Sequence, residues 1–233
     1  MVSCAVLFWV ALLIWCVTVP FDPQRRVLHR FSCFWGHHYV WVCPYWTATF
    51  TGREHIPNTA AMMVSNHQSL GDILLLYGLN RHFKWVSKAS IFKLPFIGWN
   101  MVLNRYVRLV RGDRRSIVRM MKDCRSHLDE GSSILMFPEG TRSRNGNIKA
   151  FKPGSFTLAK KANVPIVPIV IDGTGEALPK SGYLIGADQR LHFTVRVLPP
   201  ISPEDFPDDL NTLSDYVRDQ MVQTLNQIRE NTP

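Results

Sequence analysis

The first 21 residues of this 233-residue chain carry no charged side chain. Residues 4–19 are apolar except for Thr18, and Pro20 ends the run. A helix of these sixteen residues rises about 24 Å, which is less than the roughly 30 Å hydrocarbon core of a bilayer. The segment therefore predicts a marginal membrane span or a helix that enters a single leaflet. A secretory signal peptide fits less well, because no Lys or Arg precedes the run and residues 17–19 are a poor cleavage site.

A second unusual segment, residues 31–46, contains three of the seven tryptophans. Trp and Tyr favour the membrane–water interface, because each ring is apolar and has one polar edge. Arg25, Arg26 and Arg30 lie between the two segments, where they would meet anionic headgroups. These features predict a helical hairpin whose first arm enters lipid and whose second arm returns along the interface. The alternative is that residues 31–46 form a core helix of a soluble domain.

Composition narrows the class of protein. Apolar residues make up 46% of the chain, so it can bury a core and is not wholly disordered. The net charge of +9 predicts an anionic partner, such as lipid headgroups, a phosphorylated substrate, an acidic carrier or nucleic acid. Five cysteines without a CxxC pair do not indicate a disulfide framework. Cys33, His37, His38 and Cys43 match no common zinc spacing, so we expect no metal site.

The rest of the chain alternates between helix-like and strand-like segments. The predicted helices are residues 70–79, 116–128, 156–162 and 213–228, and the predicted strands are residues 60–65, 134–137 and 192–197. Residues 164–171 are rich in β-branched side chains, but their two prolines predict a strand start or an edge strand. This alternation predicts an α/β domain over residues 49–233, with a mixed sheet covered by helices. The membrane-associating hairpin would occupy residues 1–48.

A histidine and an aspartate lie five residues apart in the sequence NHQSLGD at residues 66–72. A loop after the predicted strand can bring Asp72 back to His67. An aspartate so placed fixes the imidazole tautomer, while the other ring nitrogen takes a proton. Alone, this spacing is a weak signal, because core hydrogen bonding produces it often.

A second block, FPEGTRS, occupies residues 137–143 after another predicted buried strand. Ligands of α/β sheets bind at the carboxyl ends of strands. Gly140 would let the backbone approach a ligand, Thr141 can donate a hydrogen bond, and Arg142 can bind a phosphate with its planar fork. The alternative is a polar turn in which Glu139 and Arg142 form a solvated pair.

Together the two blocks resemble the glycerolipid acyltransferase family, specifically its 1-acylglycerol-3-phosphate acyltransferases. The sequences YVRLVRGD at residues 106–113 and VPIVPI at residues 164–169 resemble two further motifs of that family. Lesser likenesses include Lys88 and the sequence FKPG at residues 151–154. The motifs run in the family's order over roughly residues 50–175.

The resemblance implies a reaction. A fatty acyl group would pass from a thioester of coenzyme A or acyl carrier protein to the sn-2 hydroxyl of lysophosphatidic acid, giving phosphatidic acid. His67 would remove the hydroxyl proton, and Asp72 would orient His67. The thiolate would leave without a covalent enzyme intermediate, and the thioester co-substrate would be needed in place of any cofactor or metal.

The resemblance also implies a set of substrate-binding residues: Asn66, Lys88, Arg111, Glu139, Gly140, Thr141 and Arg142. Arg111 and Arg142 would bind the phosphate. Lys88 would join them, although a solvated surface lysine is an equal alternative. Glu139 would position these cations or the acceptor glycerol, in preference to acting as the base.

Two other functions stay open. The acceptor could be another lysolipid, such as a lyso-ornithine lipid or a lysophospholipid. A non-catalytic protein that docks on lipid is the second alternative. We expect no nucleic-acid partner, because the basic residues do not form one stripe. We expect a membrane location on the cytoplasmic face, in a bacterial inner membrane in preference to the endoplasmic reticulum. The acyl donor and chain length stay open.

Overall fold

The computed structural model describes residues 2–143, 145–177, 190–206 and 209–231. The strands in these residues are β1 (Trp46–Thr51), β2 (Met62–Ser65), β3 (Phe83–Lys88), β4 (Val107–Leu109), β5 (Ser133–Met136), β6 (Ile166–Asp172) and β7 (Leu191–Val197). The helices are α1 (Val2–Thr18), α2 (Arg26–Val42), α3 (Gly71–Tyr77), α4 (Ile97–Leu103), α5 (Arg114–Asp129), α6 (Gly154–Ala162), α7 (Thr174–Ala177) and α8 (Leu210–Glu230).

The described strands form one mixed sheet in the order β1-β7-β6-β2-β5-β3-β4. Strands β6, β2, β5, β3 and β4 are parallel, whereas β7 is antiparallel to β6 and parallel to β1. Every residue of β2 and β5 is buried. A parallel strand covered on both faces reads as a continuous apolar run, which is why both appeared in the sequence as short apolar segments.

Helices cover both faces of the sheet. Met63, Leu135 and Val167 face one cluster, to which α2, α3 and α4 contribute. The neighbouring positions on the same three strands face a second cluster, to which α5, α6 and α8 contribute. Successive strand residues point to opposite faces, so each central strand feeds both clusters. The predicted α/β class with a mixed, helix-covered sheet is confirmed.

Helices α1 and α2 pack against each other as an N-terminal helical hairpin, and one side of it belongs to the core. Its association with a membrane stays a prediction. Leu28, Trp35 and Val40 on α2 are buried, and α2 packs on α3 and β1. The core-helix alternative is therefore correct for this inner face, while Phe34 and Trp41 are exposed on the outer face. Among the described helices, none combines the length and the apolar character needed to cross a bilayer.

The predicted division after residue 48 falls inside a strand. All of β1 pairs with β7, from Trp46 opposite Leu191 to Thr51 opposite Arg196. The sheet therefore begins before residue 49. Helix α2 shares a core with it, whereas α1 packs with α2 and α4 in a separate apolar cluster.

Of the two alternatives for residues 164–171, the strand start is correct for Pro165, because β6 begins at Ile166. The edge strand is wrong, because β6 lies between β7 and β2. Pro168 pairs opposite Val64 on β2, and its carbonyl accepts a hydrogen bond from Leu198 N on the other side. The N–H and C=O of one strand residue point to the same side. The nitrogen of Pro168 therefore faces the end of β7, whose pairing with β6 begins only at Ile169. A central strand tolerates proline there because the missing N–H falls at the end of the β6–β7 ladder, where β7 has ended.

Strand β3 carries a lysine in the interior. The side chain of Lys84 is fully buried, and its Nζ donates to the carbonyls of Gln24 at 2.6 Å and Asn104 at 2.8 Å. Gln24 belongs to the link between α1 and α2, and Asn104 follows α4. Lys84 therefore fastens the N-terminal helices to the sheet. Burial lowers the pKa of Lys84 to about 7.

Replacing Lys84 with Met tests this fastening through the pH dependence of stability. The unfolded lysine binds its proton up to a pKa of about 10.4, whereas the folded one loses it near pH 7. The unfolded state thus holds more protons between these pH values, so the stability that Lys84 contributes rises with pH across this window and is lost as pH falls through it. Denaturant unfolding at a series of pH values measures the free energy of unfolding of both proteins. The wild-type value minus the Lys84→Met value should increase with pH, by at most about 1.4 kcal/mol per pH unit. The exposed Lys122→Met is the control, and a pH-independent difference for Lys84→Met would contradict the account.

Candidate active site

The candidate base lies at the carboxyl end of β2. His67 follows this strand, and Asp72 lies in the first turn of α3. His67 Nδ1 and Asp72 Oδ2 are 2.7 Å apart, and the aspartate side chain is fully buried. The structure therefore brings together the two side chains that the sequence paired. With Nδ1 bound to the carboxylate, Nε2 is the nitrogen placed to accept a proton.

The Asp72 carboxylate is held from three further directions. Oδ2 accepts hydrogen bonds from the backbone N–H groups of Gln68 at 2.6 Å and Ser69 at 2.9 Å. Oδ1 accepts a hydrogen bond from the hydroxyl of Thr174. These donors compensate the buried charge and fix the carboxylate plane. Thr174 was not predicted from the sequence, because its place beside Asp72 depends on β6 and β2 being parallel neighbours in the sheet.

An aromatic ring fixes the plane of the imidazole. The ring of Phe137, which follows β5, stacks on His67 with centroids 3.9 Å apart and planes 10° apart. Trp85 on β3 lies next in line, 5.9 Å from Phe137. The His67 ring is thus held on one side by Asp72 and across its face by Phe137.

Glu139 joins the loop after β2 to its own loop, which runs from β5 to α6. Its Oε1 accepts from His67 N at 3.0 Å, and its Oε2 accepts from Lys149 N at 3.1 Å. Burial raises the pKa of Glu139 above its usual value, and these two backbone donors oppose that shift. Ser143 N donates to the carbonyl of His67 at 2.7 Å. The FPEGTRS loop therefore grips His67 at both its N–H and its C=O, which gives Glu139 a positioning role. Its contact with substrate stays a prediction.

The side chain of Asn66 bonds to the neighbouring strand β6. Its Nδ2 donates to the carbonyl of Ile171, and its Oδ1 accepts from the N–H of the same residue, both at 2.8 Å. The side chain is 1% exposed. The amide is engaged by β6 at both ends, so Asn66 joins two strand ends. Its contact with substrate stays a prediction.

The outer part of the FPEGTRS loop faces solvent. Gly140 has φ +73°, and a Cβ there would lie 2.9 Å from the end of the Lys152 side chain. Glycine is therefore the residue that fits this turn. Thr141 is exposed and Arg142 is half-buried. Contacts of Gly140, Thr141 and Arg142 with substrate stay predictions.

Two more predicted cations lie along the same edge of the sheet. Lys88 ends β3 and Arg111 follows β4, and both are exposed. The parallel strands β2, β5, β3 and β4 are successive neighbours, so their carboxyl ends share this edge. Arg111 follows β4, which is the third strand along from β2, so β4 and β2 are roughly 14 Å apart across the sheet. Arg108 is the other arginine of this motif, and its guanidinium lies 4.8 Å from the Phe92 ring centroid. Arg111 is therefore a better candidate than Arg108 for binding the phosphate of a ligand.

An apolar cavity of about 390 Å³ lies between α2, α3 and α4. Leu70, Ile73 and Leu74 form one wall, and Trp85 forms another. Trp85 also packs on Phe137, the ring that stacks on His67. The cavity is thus an apolar chamber next to the His67 site, with the size and character to hold a hydrocarbon chain.

Within the described residues, no three His, Cys, Asp or Glu side chains converge in a way that could hold a metal ion. The described site offers a candidate base, its carboxylate partner and nearby cations.

Comparison with known proteins agrees with this arrangement. The family model described as Acyltransferase matches residues 47–172. The chloroplast 1-acyl-sn-glycerol-3-phosphate acyltransferase LPAT1 of Arabidopsis thaliana is 43% identical over 162 residues, which are 68% of this chain and 45% of that protein. The chloroplast enzyme BAT2 of Brassica napus is 37% identical over 210 residues, 88% of this chain and 58% of that protein. A relative from Saccharomyces cerevisiae, with the same enzyme name, is 34% identical over 76% of this chain and 59% of its own length.

The chain spans about half the length of the curated relatives it matches. Among solved structures, the lysophosphatidic acid acyltransferase PlsC of Thermotoga maritima has a TM-score of 0.76 and 23% sequence identity. The match covers 100% of this chain and 98% of that one. At this identity the likeness establishes the fold.

Proposed function

Because this chain belongs to the acyltransferase family, we propose that it transfers a fatty acyl group from an acyl thioester to the sn-2 hydroxyl of lysophosphatidic acid. The product is phosphatidic acid. The observation that carries the proposal is the buried His67–Asp72 pair at the end of β2, gripped by the loop that presents Arg142. The names of the relatives support the same acceptor.

The reaction needs two proton transfers, one from the acceptor hydroxyl to His67 and one from His67 to the departing thiolate. His67 Nε2 takes the proton of the acceptor hydroxyl as its oxygen attacks the thioester carbonyl. Asp72 stabilises the imidazolium that forms. The carbon–sulfur bond then breaks, and the departing thiolate recovers the proton. No covalent enzyme intermediate is required.

The cations and the apolar cavity fit the two ends of such substrates. Arg142, Arg111 and Lys88 follow neighbouring parallel strands at the edge that carries His67, and a guanidinium fork suits a phosphate. The cavity beside Trp85 suits an acyl chain. A thioester of coenzyme A and one of acyl carrier protein present the same carbonyl, so both are proposed donors.

The outer faces of α1 and α2 support an interfacial location. The large exposed apolar side chains on these helices are Val6, Trp9, Val10, Leu13, Val17, Val27, Phe34, Trp41 and Val42. We infer that this surface enters one leaflet, as the sequence predicted, so that substrates with fatty chains reach the site from the bilayer. The cytoplasmic face of a bacterial inner membrane stays the expected location.

Removing the base tests the proposed reaction. Purified His67→Ala protein, given labelled acyl-CoA or acyl carrier protein and a panel of lysolipids, should lose roughly 10²–10⁴-fold in turnover while remaining folded. Asp72→Asn should also lose turnover, because an amide does not stabilise the imidazolium. The control is His192→Ala, which changes an exposed histidine on β7. Near-normal turnover by folded His67→Ala would refute the mechanism, and a preference for another lysolipid would refute the acceptor.

Changing the arginines tests the phosphate site. Arg142→Lys keeps the charge and loses the planar fork, so it should reduce use of lysophosphatidic acid roughly tenfold through one charge-assisted hydrogen bond. Arg111→Ala should act in the same direction. The loss should be larger for lysophosphatidic acid than for a neutral lysolipid, with the exposed Arg119→Ala as control. Equal losses for both acceptors would give these arginines a structural or donor-binding role.

Substitution tests the membrane surface better than deletion, because removing α2 would uncover the core. The triple variant Trp9→Ser, Leu13→Ser, Trp41→Ser should bind vesicles roughly a hundredfold or more weakly, since each large apolar side chain buried in lipid contributes about 1.5–3 kcal/mol. The control removes three exposed apolar side chains of α5 and α8: Ile117, Val118 and Tyr216. Vesicle flotation that shows equal losses for both triples would place the membrane contact elsewhere.

A further inference from the structure

Four arginines line a second cationic region, outside the site of His67. Two adjoining cavities of about 640 and 310 Å³ share Arg30, Cys33 and Asn80 in their walls. The arginines that line one or both cavities are Arg26, Arg30, Arg53 and Arg81. No Asp or Glu is among the described residues that line them. We refer to this pair of cavities as the arginine cavity.

The arginines come from separate elements of the chain. Arg26 and Arg30 lie on α2, Arg53 follows β1, and Arg81 follows α3. In the described part of the chain, none of the four forms an ion pair with a carboxylate. Asp22 is a carboxylate near this region, since it acts electrostatically on His82, which lines the smaller cavity. Its side chain accepts a hydrogen bond from the backbone N–H of Val27.

Arg53 is the most constrained of the four. Its guanidinium lies 4.1 Å from the Phe50 ring centroid and donates through Nη2 to the carbonyl of Gly78 at 2.7 Å. Its Nε is buried and makes no hydrogen bond to the described residues. Burial, and then the charge of Arg81, lower the pKa of Arg53. Arg53 and Arg81 line adjoining cavities, and no carboxylate is among the described residues of their walls. A bound anion would offset the repulsion between such like charges.

The rim of the cavity is aromatic and belongs to the proposed membrane surface. Phe34 and Trp41 on α2 line the larger cavity, and their side chains are 50% and 64% exposed. Indole rings favour the interfacial region of a bilayer, where headgroup phosphates also lie. A ligand that fits this combination has a phosphate for the guanidinium forks and an apolar part for the rim.

We propose that the arginine cavity binds the phosphate of an anionic phospholipid of the membrane. This site is distinct from the acceptor site. It lies at the far end of α3, beside Tyr77 and Gly78, whereas Asp72 is in the first turn of that helix. Gly78 is six residues beyond Asp72, which is about 9 Å along a helix. The site goes beyond the proposed acyl transfer, since a lipid bound there would orient the domain on an anionic surface without taking part in the reaction.

Vesicle flotation tests the proposal with the full chain. Phosphatidylcholine vesicles with and without phosphatidylglycerol are compared, because phosphatidylglycerol is neither the proposed acceptor nor the proposed product. The cavity variant is Arg30→Gln, Arg53→Gln, Arg81→Gln. Its matched control, Arg119→Gln, Lys122→Gln, Lys161→Gln, removes three exposed charges from the opposite face of the sheet. Since Arg53 donates to the backbone, the double variant Arg30→Gln, Arg81→Gln guards against a loss of folding.

Phosphatidylglycerol should strengthen binding of the wild type and the control. In the cavity variants, each arginine removed should reduce the affinity for vesicles that contain phosphatidylglycerol roughly fivefold. Their affinity for vesicles of phosphatidylcholine alone should be unchanged. An equal loss in the control would show diffuse attraction and overturn the proposal. Inorganic phosphate that competes with the vesicles at matched ionic strength would also overturn the proposal, because the ligand would then be a soluble phosphate.

Turnover of a soluble short-chain lysophosphatidic acid separates this proposal from the proposed function. The cavity variants should turn over this analogue at the wild-type rate. A selective loss of turnover in the cavity variants would assign the arginines to the reaction and overturn the proposal. Absence of turnover in the wild type and all variants would refute the acyl transfer and leave the flotation result to decide the lipid site.

Discussion

The buried carboxylate of Asp72 is the constraint on which the site depends. A charge without solvent must be met by donors, and Asp72 has four: His67 Nδ1, the N–H groups of Gln68 and Ser69, and the hydroxyl of Thr174. Three of these donors lie within five residues of the aspartate, so the loop from β2 to α3 must close tightly around it. The closed loop leaves the imidazole one orientation, with Nε2 directed away from the carboxylate.

The parallel sheet brings the rest of the site to that loop. Carboxyl ends of β6, β2 and β5 are neighbours, so Thr174, Asn66 and Glu139 follow adjacent strands and reach His67 or its loop. Each side chain bonds to backbone or carboxylate across a strand boundary. Polar groups that are all satisfied in this way hold a catalytic geometry with little freedom. The cations at the exposed end of the same edge can then meet substrate without disturbing the base.

The sequence predicted the parts of this account that are local. His67 and Asp72 are five residues apart, and the amphipathic spacing of α5 and α8 is continuous. Thr174 and the partner strand of Asn66 were out of reach, because they lie about a hundred residues from their contacts and depend on strand order. Strand β3 was missed because the buried Lys84 interrupts its apolar pattern. The position of Pro168 in a central strand depends on where β7 ends, which local periodicity does not encode.

The tautomer of His67 is the most direct test of the central claim, that a buried carboxylate orients this imidazole as a base. Nitrogen NMR of the labelled protein, assigned with His67→Ala, distinguishes a proton on Nδ1 from one on Nε2. We predict that the neutral ring carries its proton on Nδ1, bonded to Asp72, and that Asp72→Asn weakens this preference. A neutral His67 with its proton on Nε2 in the wild type would contradict the account, because the nitrogen facing substrate would then be a donor instead of a base.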